Sequence, residues 1–154
     1  MEQKAQAVKS TALAHLFLLN NAQFVLRAVQ RSDLARLVGE PWLTRQAAYV
    51  RQRLSDFFEA AWKPIVLTLT AAPGAKVAET CRSLNAALEG VQRAHGAWAV
   101  ADPEVREALR QRVRQKLLPP YAKFQEQVSV GAKARPLKFT PEALERVISQ
   151  ELYE

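Results

Sequence analysis

Residues 11–29, "TALAHLFLLNNAQFVLRAV", are apolar on almost every side of a helix, yet Asn20 and Asn21 stand side by side in the middle. Leu13, Phe17, Phe24 and Ala28 form one stripe, and Leu18, Ala22, Val25 and Val29 form another. The pattern predicts a helix from Ala5 to Gln30, buried among several others rather than lying on a surface. A buried amide without a partner costs about 1–3 kcal/mol. The asparagine pair is therefore expected to bond neighbouring backbone or helix ends and to set register between helices.

The same reading continues down the chain. Ser32 is placed to cap a short helix that Gly39 closes. A second long helix starts near Pro41, with Leu43, Ala47, Val50, Leu54, Phe57, Ala61 and Ile65 at the alternating steps of a bundle seam. Pro64 predicts a kink or an early end, and "TAAPGAK" at 70–76 reads as a loop. A third helix spans Val77 to His95 with Cys81, Leu84, Leu88 and Val91 inward. Asp102, Pro103 and Glu104 give a cap, a preset φ and an acid suited to the helix dipole, so a fourth helix starts there. It carries Val105, Leu109, Val113, Leu117, Tyr121, Phe124 and Val128, and Pro119 and Pro120 are expected to bend it. After the loop "SVGAKARPLKF", Thr140-Pro141-Glu142 repeats the start signal for a last helix burying Leu144, Val147, Ile148 and Leu152. The expected fold is all-α, an antiparallel helical bundle of about five main helices forming a single domain over residues 1–154.

Composition sharpens this picture. The 154 residues suffice for one domain with a real core, and 49% hydrophobic against 24% charged residues argues against disorder along the whole length. Five glycines are few for a β protein rich in tight turns. The single cysteine excludes an internal disulfide. The polar start "MEQKAQAVKS" is unlike a signal peptide, and the apolar run at 12–19 is expected to be too short to span a bilayer, so a soluble intracellular protein is expected. Lys and Arg number 22 against 15 acids, a net charge of +7 that points to an anionic partner: phospholipid, nucleic acid or an acidic protein.

Candidate chemistry is sparse. His15 and His95 lack a Cys, His or acid at metal-pair spacing. Cys81 reads as a small buried hydrophobe. No phosphate loop, nucleophile elbow or paired catalytic carboxylates occur, so neither catalysis nor a cofactor is expected. Basic residues gather in two places. Arg106, Arg110 and Arg114 lie at i, i+4 steps and, with Arg112 and Lys116, predict an exposed basic ridge. Lys133, Arg135 and Lys138 precede the last helix with no acid between Gly131 and Thr140, and Leu137 and Phe139 alternate with that charge, a mix suited to an anionic membrane surface. Nucleic acid would accept the charge, but no reading helix or aromatic platform accompanies it, and no nucleic acid is expected as a partner.

Taken in order, "ALAHLFLLNNAQFVLRAV", "LVGEPWL", "FFEAAWKPIV", "AHGAWAVADPEVREALR", "LLPPYAKF" and "LKFTPEALERVIS" resemble the C-terminal end of the 70-kilodalton exocyst subunit, plant members especially, over about Ser10 to Leu152. The resemblance implies a bundle from the end of a rod within a tether that holds secretory vesicles at the plasma membrane. It implies no enzymatic activity, a cytoplasmic protein peripheral to that membrane, and phosphatidylinositol bisphosphate, other exocyst subunits and Rho-type GTPases as partners. The family's lysine-x-x-lysine segment before the last helix corresponds to "RPLK" here, so Arg135 and Lys138 inherit the lipid-binding role, with Lys133 in support. Arginine keeps the charge of the first lysine but changes its hydration. Met1 stands almost where the last bundle of the family begins, so the N-terminal coiled coil and the middle of the rod are expected to be absent. A protein-interaction domain that ignores lipid is the alternative reading.

Overall fold

The computed structural model describes residues 2–71, 76–130 and 137–154, with side chains from Thr11 onward. These residues gather into two compact units, Met1–Ala61 with Ala101–Pro103, and Trp62–Val100 with Glu104–Glu154. Every element among the described residues is helical.

In the first unit, α1 (Glu2–Gln30) packs along α2 (Leu34–Ala61). Ser32 turns the chain between them: its hydroxyl accepts from the Leu34 N–H at 3.3 Å and donates to the Val29 carbonyl at 3.0 Å. Gly39 adopts φ 75°, ψ 167°, a conformation open to glycine and nearly closed to other residues, and α2 kinks there before Pro41. Beyond the kink Val50 and Phe57 are buried, while Leu43, Ala47, Leu54 and Ala61 are half-buried, as the seam spacing predicts.

α1 departs from the expectation of burial on all sides. Ala12, Leu16, Leu19, Ala22, Gln23 and Leu26 are buried, but Leu13, Phe17, Leu18, Phe24 and Val25 are exposed. The periodicity correctly gives an apolar circumference. Covering it requires neighbours on two sides, and among the described helices of the first unit α2 packs along one of them. Thr11–Gln30 is also long and apolar enough, by length and composition, to cross a membrane, where the shorter run at 12–19 is not.

In the second unit, the long helix has ended and a new one begins at Lys63, just before Pro64, in line with the early end its proline predicts. α3 (Lys63–Thr70) is a separate helix with proline in its first turn, and the Ile65 and Val66 N–H groups bond the Trp62 carbonyl. α4 (Val77–His95) matches its predicted span and buries Cys81, Leu84, Leu88 and His95, with Val91 half-buried. α5 (Pro103–Ser129) buries all seven predicted apolar positions and runs through Pro119 and Pro120 without a break. α6 (Pro141–Arg146) is capped by Thr140, whose hydroxyl accepts from the Ala143 N–H at 3.1 Å. One π-helical turn, Val147–Glu151, then widens the chain and delivers Leu152, Tyr153 and Glu154.

Those last residues are strapped down. The Tyr153 N–H bonds the His95 carbonyl at 3.3 Å, and the Tyr153 carbonyl accepts from the Val100 N–H at 3.2 Å. The Tyr153 hydroxyl accepts from the Trp62 indole N–H at 2.8 Å and lies 2.8 Å from His95 Nδ1. Indole N–H can only donate, so the Tyr153 hydroxyl is the acceptor of the Trp62 bond, and its hydrogen bond with His95 Nδ1 ties the same oxygen to the imidazole. Trp98 stacks on the same imidazole at 4.3 Å between ring centroids.

Candidate functional site

The segment entering α6 is anchored from three directions. The Lys138 N–H donates to Asn85 Oδ1 of α4 at 2.9 Å. The Phe139 carbonyl accepts from the Tyr121 hydroxyl of α5 at 2.8 Å. Thr140 caps α6 itself. Burial, and secondarily repulsion from Cys81 in its ionised form, push Tyr121 up to about 12, so this hydroxyl keeps its proton and its bond at any physiological pH. Lys138 is thus presented at a fixed place on the second unit. Its ammonium pairs with Glu89 of α4, and the side chain stays 60% exposed. Of the three cations the sequence singles out, Lys138 lies here; Lys133 and Arg135 lie outside the described residues. Asn85 and Glu89, one helical turn apart on α4, are the partners that sequence reasoning missed. Their spacing signals only a polar helix face.

The basic ridge of α5 is not the exposed surface its spacing suggests. Arg110 is buried: its Nε and Nη2 donate to the Leu152 carbonyl at 3.1 and 2.6 Å, and Nη2 also reaches a Glu154 carboxylate oxygen at 2.6 Å. Arg106 donates to the Val100 carbonyl and to Glu154, each at 3.1 Å. Arg114 donates to the Ser149 hydroxyl at 2.9 Å and pairs with Glu107. The i, i+4 stripe supplies donors to the carbonyls and carboxylate of the final strap. Hydrogen bonding to Arg110, then its charge, holds the Glu154 carboxyl below its ordinary range. Lys116 and Lys123, seven residues apart on α5, are both exposed.

The remaining candidates are structural. Asn20 Oδ1 accepts from the Ala101 N–H at 3.3 Å, as a register-setting amide should, whereas Asn21 is exposed. Asp102 receives Gln23 Nε2 at 3.0 Å and Arg27 Nε at 2.9 Å on one oxygen, tying α1 to residues 101–103. Cys81 is fully buried, and burial pushes its thiol up, away from the thiolate a nucleophile needs. Among the described residues no three His, Cys, Asp or Glu side chains gather as metal ligands would.

Comparison with known proteins places this geometry. Residues 1–150 match the family model for the C-terminal part of Exo70, a component of the exocyst complex. Exocyst complex component EXO70A1 of Arabidopsis thaliana is 30% identical over 177 aligned residues, which cover 100% of this chain and 28% of that protein. Exocyst complex component 7 of Homo sapiens is 24% identical, covering 94% of this chain and 22% of the relative. The solved structure of S. cerevisiae Exo70 superposes with a TM-score of 0.77 at 20% identity, over 90% of this chain and 27% of that one. The helical-bundle fold is therefore shared, and the chain spans about a quarter of the length of the curated relatives it matches.

Proposed function

Because the chain belongs to the Exo70 family of exocyst components, we propose that it is a membrane-docking module for vesicle tethering, adsorbing to phosphoinositide headgroups through Lys133, Arg135 and Lys138. The observation that carries this reading is Lys138, exposed, held in place by Asn85, and terminating an acid-free basic segment. Binding is reversible and electrostatic. The surface pair of Lys138 with Glu89 is worth about 0–1 kcal/mol, so a headgroup carrying several phosphate charges displaces a single carboxylate. Each cation near an anionic surface contributes about 1 kcal/mol, enough in a cluster of three for reversible adsorption. No catalytic step is required. The protein acts in the cytoplasm and peripherally at the plasma membrane, with other exocyst subunits and Rho-type GTPases as protein partners.

Co-sedimentation with liposomes, with and without phosphatidylinositol bisphosphate, tests the proposal. Wild type is expected to pellet with the phosphoinositide, and Arg135→Glu/Lys138→Glu to stay in the supernatant with unchanged circular dichroism. Glu89→Gln, which releases Lys138 from its partner, is expected to bind about two- to threefold more tightly, of the order of a weak surface pair. Equal pelleting of wild type and the charge-reversed variant would sink the mechanism. The exposed Phe17 and Phe24 favour a second reading, a protein-binding module, which recovery of partners by that same variant would support.

A further inference from the structure

We propose that the outer face of α1 is a self-association seam, on which a second copy of this chain lays its own α1 antiparallel, with the two-fold axis passing through Asn21. Ala14, Phe17, Asn21, Phe24 and Ala28 follow one another at alternating steps of three and four, the spacing of a helix–helix seam, and all five are exposed. Phe17 is 67% and Phe24 73% exposed, far beyond the scattered apolar residues of an ordinary surface. No charged residue occurs from Thr11 to Leu26. The face lies wholly within the first unit and stands apart from the lipid reading.

Three arguments commit the seam to a second copy. The first is self-complementarity. A two-fold axis level with position 21 sets Ala14 near Ala28, Phe17 near Phe24, and Leu18 near Val25 of the second copy, so these exposed apolar side chains meet one another. The two Asn21 amides then meet on the axis, where each offers the donor and the acceptor the other lacks. This gives the second asparagine a role the packing of a single copy does not supply. The second argument is charge. Antiparallel pairing puts Arg31 beside Thr11 of the second copy and keeps the two Arg31 side chains about 30 Å apart, at about 1.5 Å per residue. That separation is well beyond the screening length of about 8 Å. Parallel pairing would stack the two arginines, in a chain already at +7. The third argument is area. The exposed parts of Leu13, Phe17, Leu18, Phe24 and Val25 amount to about 500 Å² per copy, so the pair buries about 1,000 Å². That is the lower edge of specific interfaces, and it specifies a reversible, concentration-dependent dimer rather than an obligate one.

Sedimentation equilibrium from low micromolar to several hundred micromolar protein is expected to show a monomer–dimer equilibrium with micromolar Kd. Phe24→Glu, at an exposed position, is expected to raise Kd at least about tenfold while circular dichroism stays unchanged. Geometry is tested by oxidative cross-linking, in which buried Cys81 does not compete. Asn21→Cys is expected to form a disulfide-linked dimer. Ala14→Cys and Ala28→Cys, each about 20 Å from its own copy, are expected to stay monomeric alone and to link when mixed. A monomer at every concentration would overturn the proposal, as would self-linking of Ala14→Cys and Ala28→Cys separately, the mark of a parallel pair. It would also be overturned if this face became protected only by phospholipid vesicles or by helices of a longer relative.

Discussion

Arg110 stands on a helix face whose spacing advertises a solvated basic ridge, yet only 7% of the residue is exposed. What draws it inward is the Leu152 carbonyl, left without a helical partner when the π-helical turn gives way to extended chain. Two guanidinium N–H groups close on that one oxygen, and Glu154 takes up the charge. Replacing Arg110 by alanine strands the carbonyl and leaves Glu154 with Arg106 alone, so Arg110→Ala is expected to cost about 2–4 kcal/mol in urea unfolding. Lys116→Ala, at an exposed position of the same helix, is expected to cost less than about 1 kcal/mol. Equal losses from the two variants would mean that the ridge is merely solvated, as its spacing suggests. Sequence spacing reports which side chains share a face; it does not report whether an oxygen waits opposite. Asp102 makes the same point, for its cap–proline–acid signal is plain in the sequence while its bonds to Gln23 and Arg27, 79 and 75 residues away, are not.

At the scale of elements, starts and stops were legible because each rests on a local restriction of the backbone. Thr140-Pro141 caps and presets α6, Pro64 divides α2 from α3, and Ser32 turns the chain out of α1. Gly39 is the sharpest case. At φ 75°, ψ 167° a β-carbon would meet nothing closer than Pro41 Cδ at 3.7 Å, so the barrier to other residues is torsional rather than steric crowding from neighbours. Gly39→Ala is therefore expected to destabilise the first unit by about 1–3 kcal/mol without altering the helix content of the folded state, as thermal melts followed by circular dichroism will report. Gly90, with open space around its missing β-carbon and an ordinary helical setting, provides the contrast: Gly90→Ala is expected to be neutral or stabilising by up to about 1 kcal/mol. The burial of α1 was not legible in the same way. An apolar circumference says that two faces want cover, but the identity of the second cover is a property of what packs there, and periodicity carries no record of it. The segment entering α6 was legible only through charge and resemblance, since its anchors Asn85 and Tyr121 sit on two other helices.

For the molecule as a whole, the charges divide into those that hold the fold together and those that face outward. Arg27, Arg106, Arg110 and Arg114 are committed to partners, with side-chain exposures of 29% or less. Asp102 and Glu107 neutralise Arg27 and Arg114, and Glu154 is shared by Arg106 and Arg110. Most of the +7 excess therefore resides in the other cations, the exposed Lys138 and Lys116 among them. Salt acts unequally on the two populations. The screening length shrinks from about 10 Å at 0.1 M to about 3 Å at 1 M, which removes attraction between exposed cations and an anionic surface while leaving partly buried, hydrogen-bonded pairs nearly untouched. Raising salt from about 0.1 M to about 1 M is therefore expected to cut phosphoinositide-vesicle binding at least about tenfold with a melting temperature that moves by no more than about 3 °C. The seam of α1 separates from both, because its contacts are apolar and its charges lie far apart, so the dimer should hold or tighten as salt rises. A dimer that dissolved in step with vesicle release would show that one electrostatic surface governs both events. Independent responses of fold, vesicle binding and self-association to the same salt series would instead assign them to three distinct parts of the chain: the strap on α5, the segment at Lys138, and the outer face of α1.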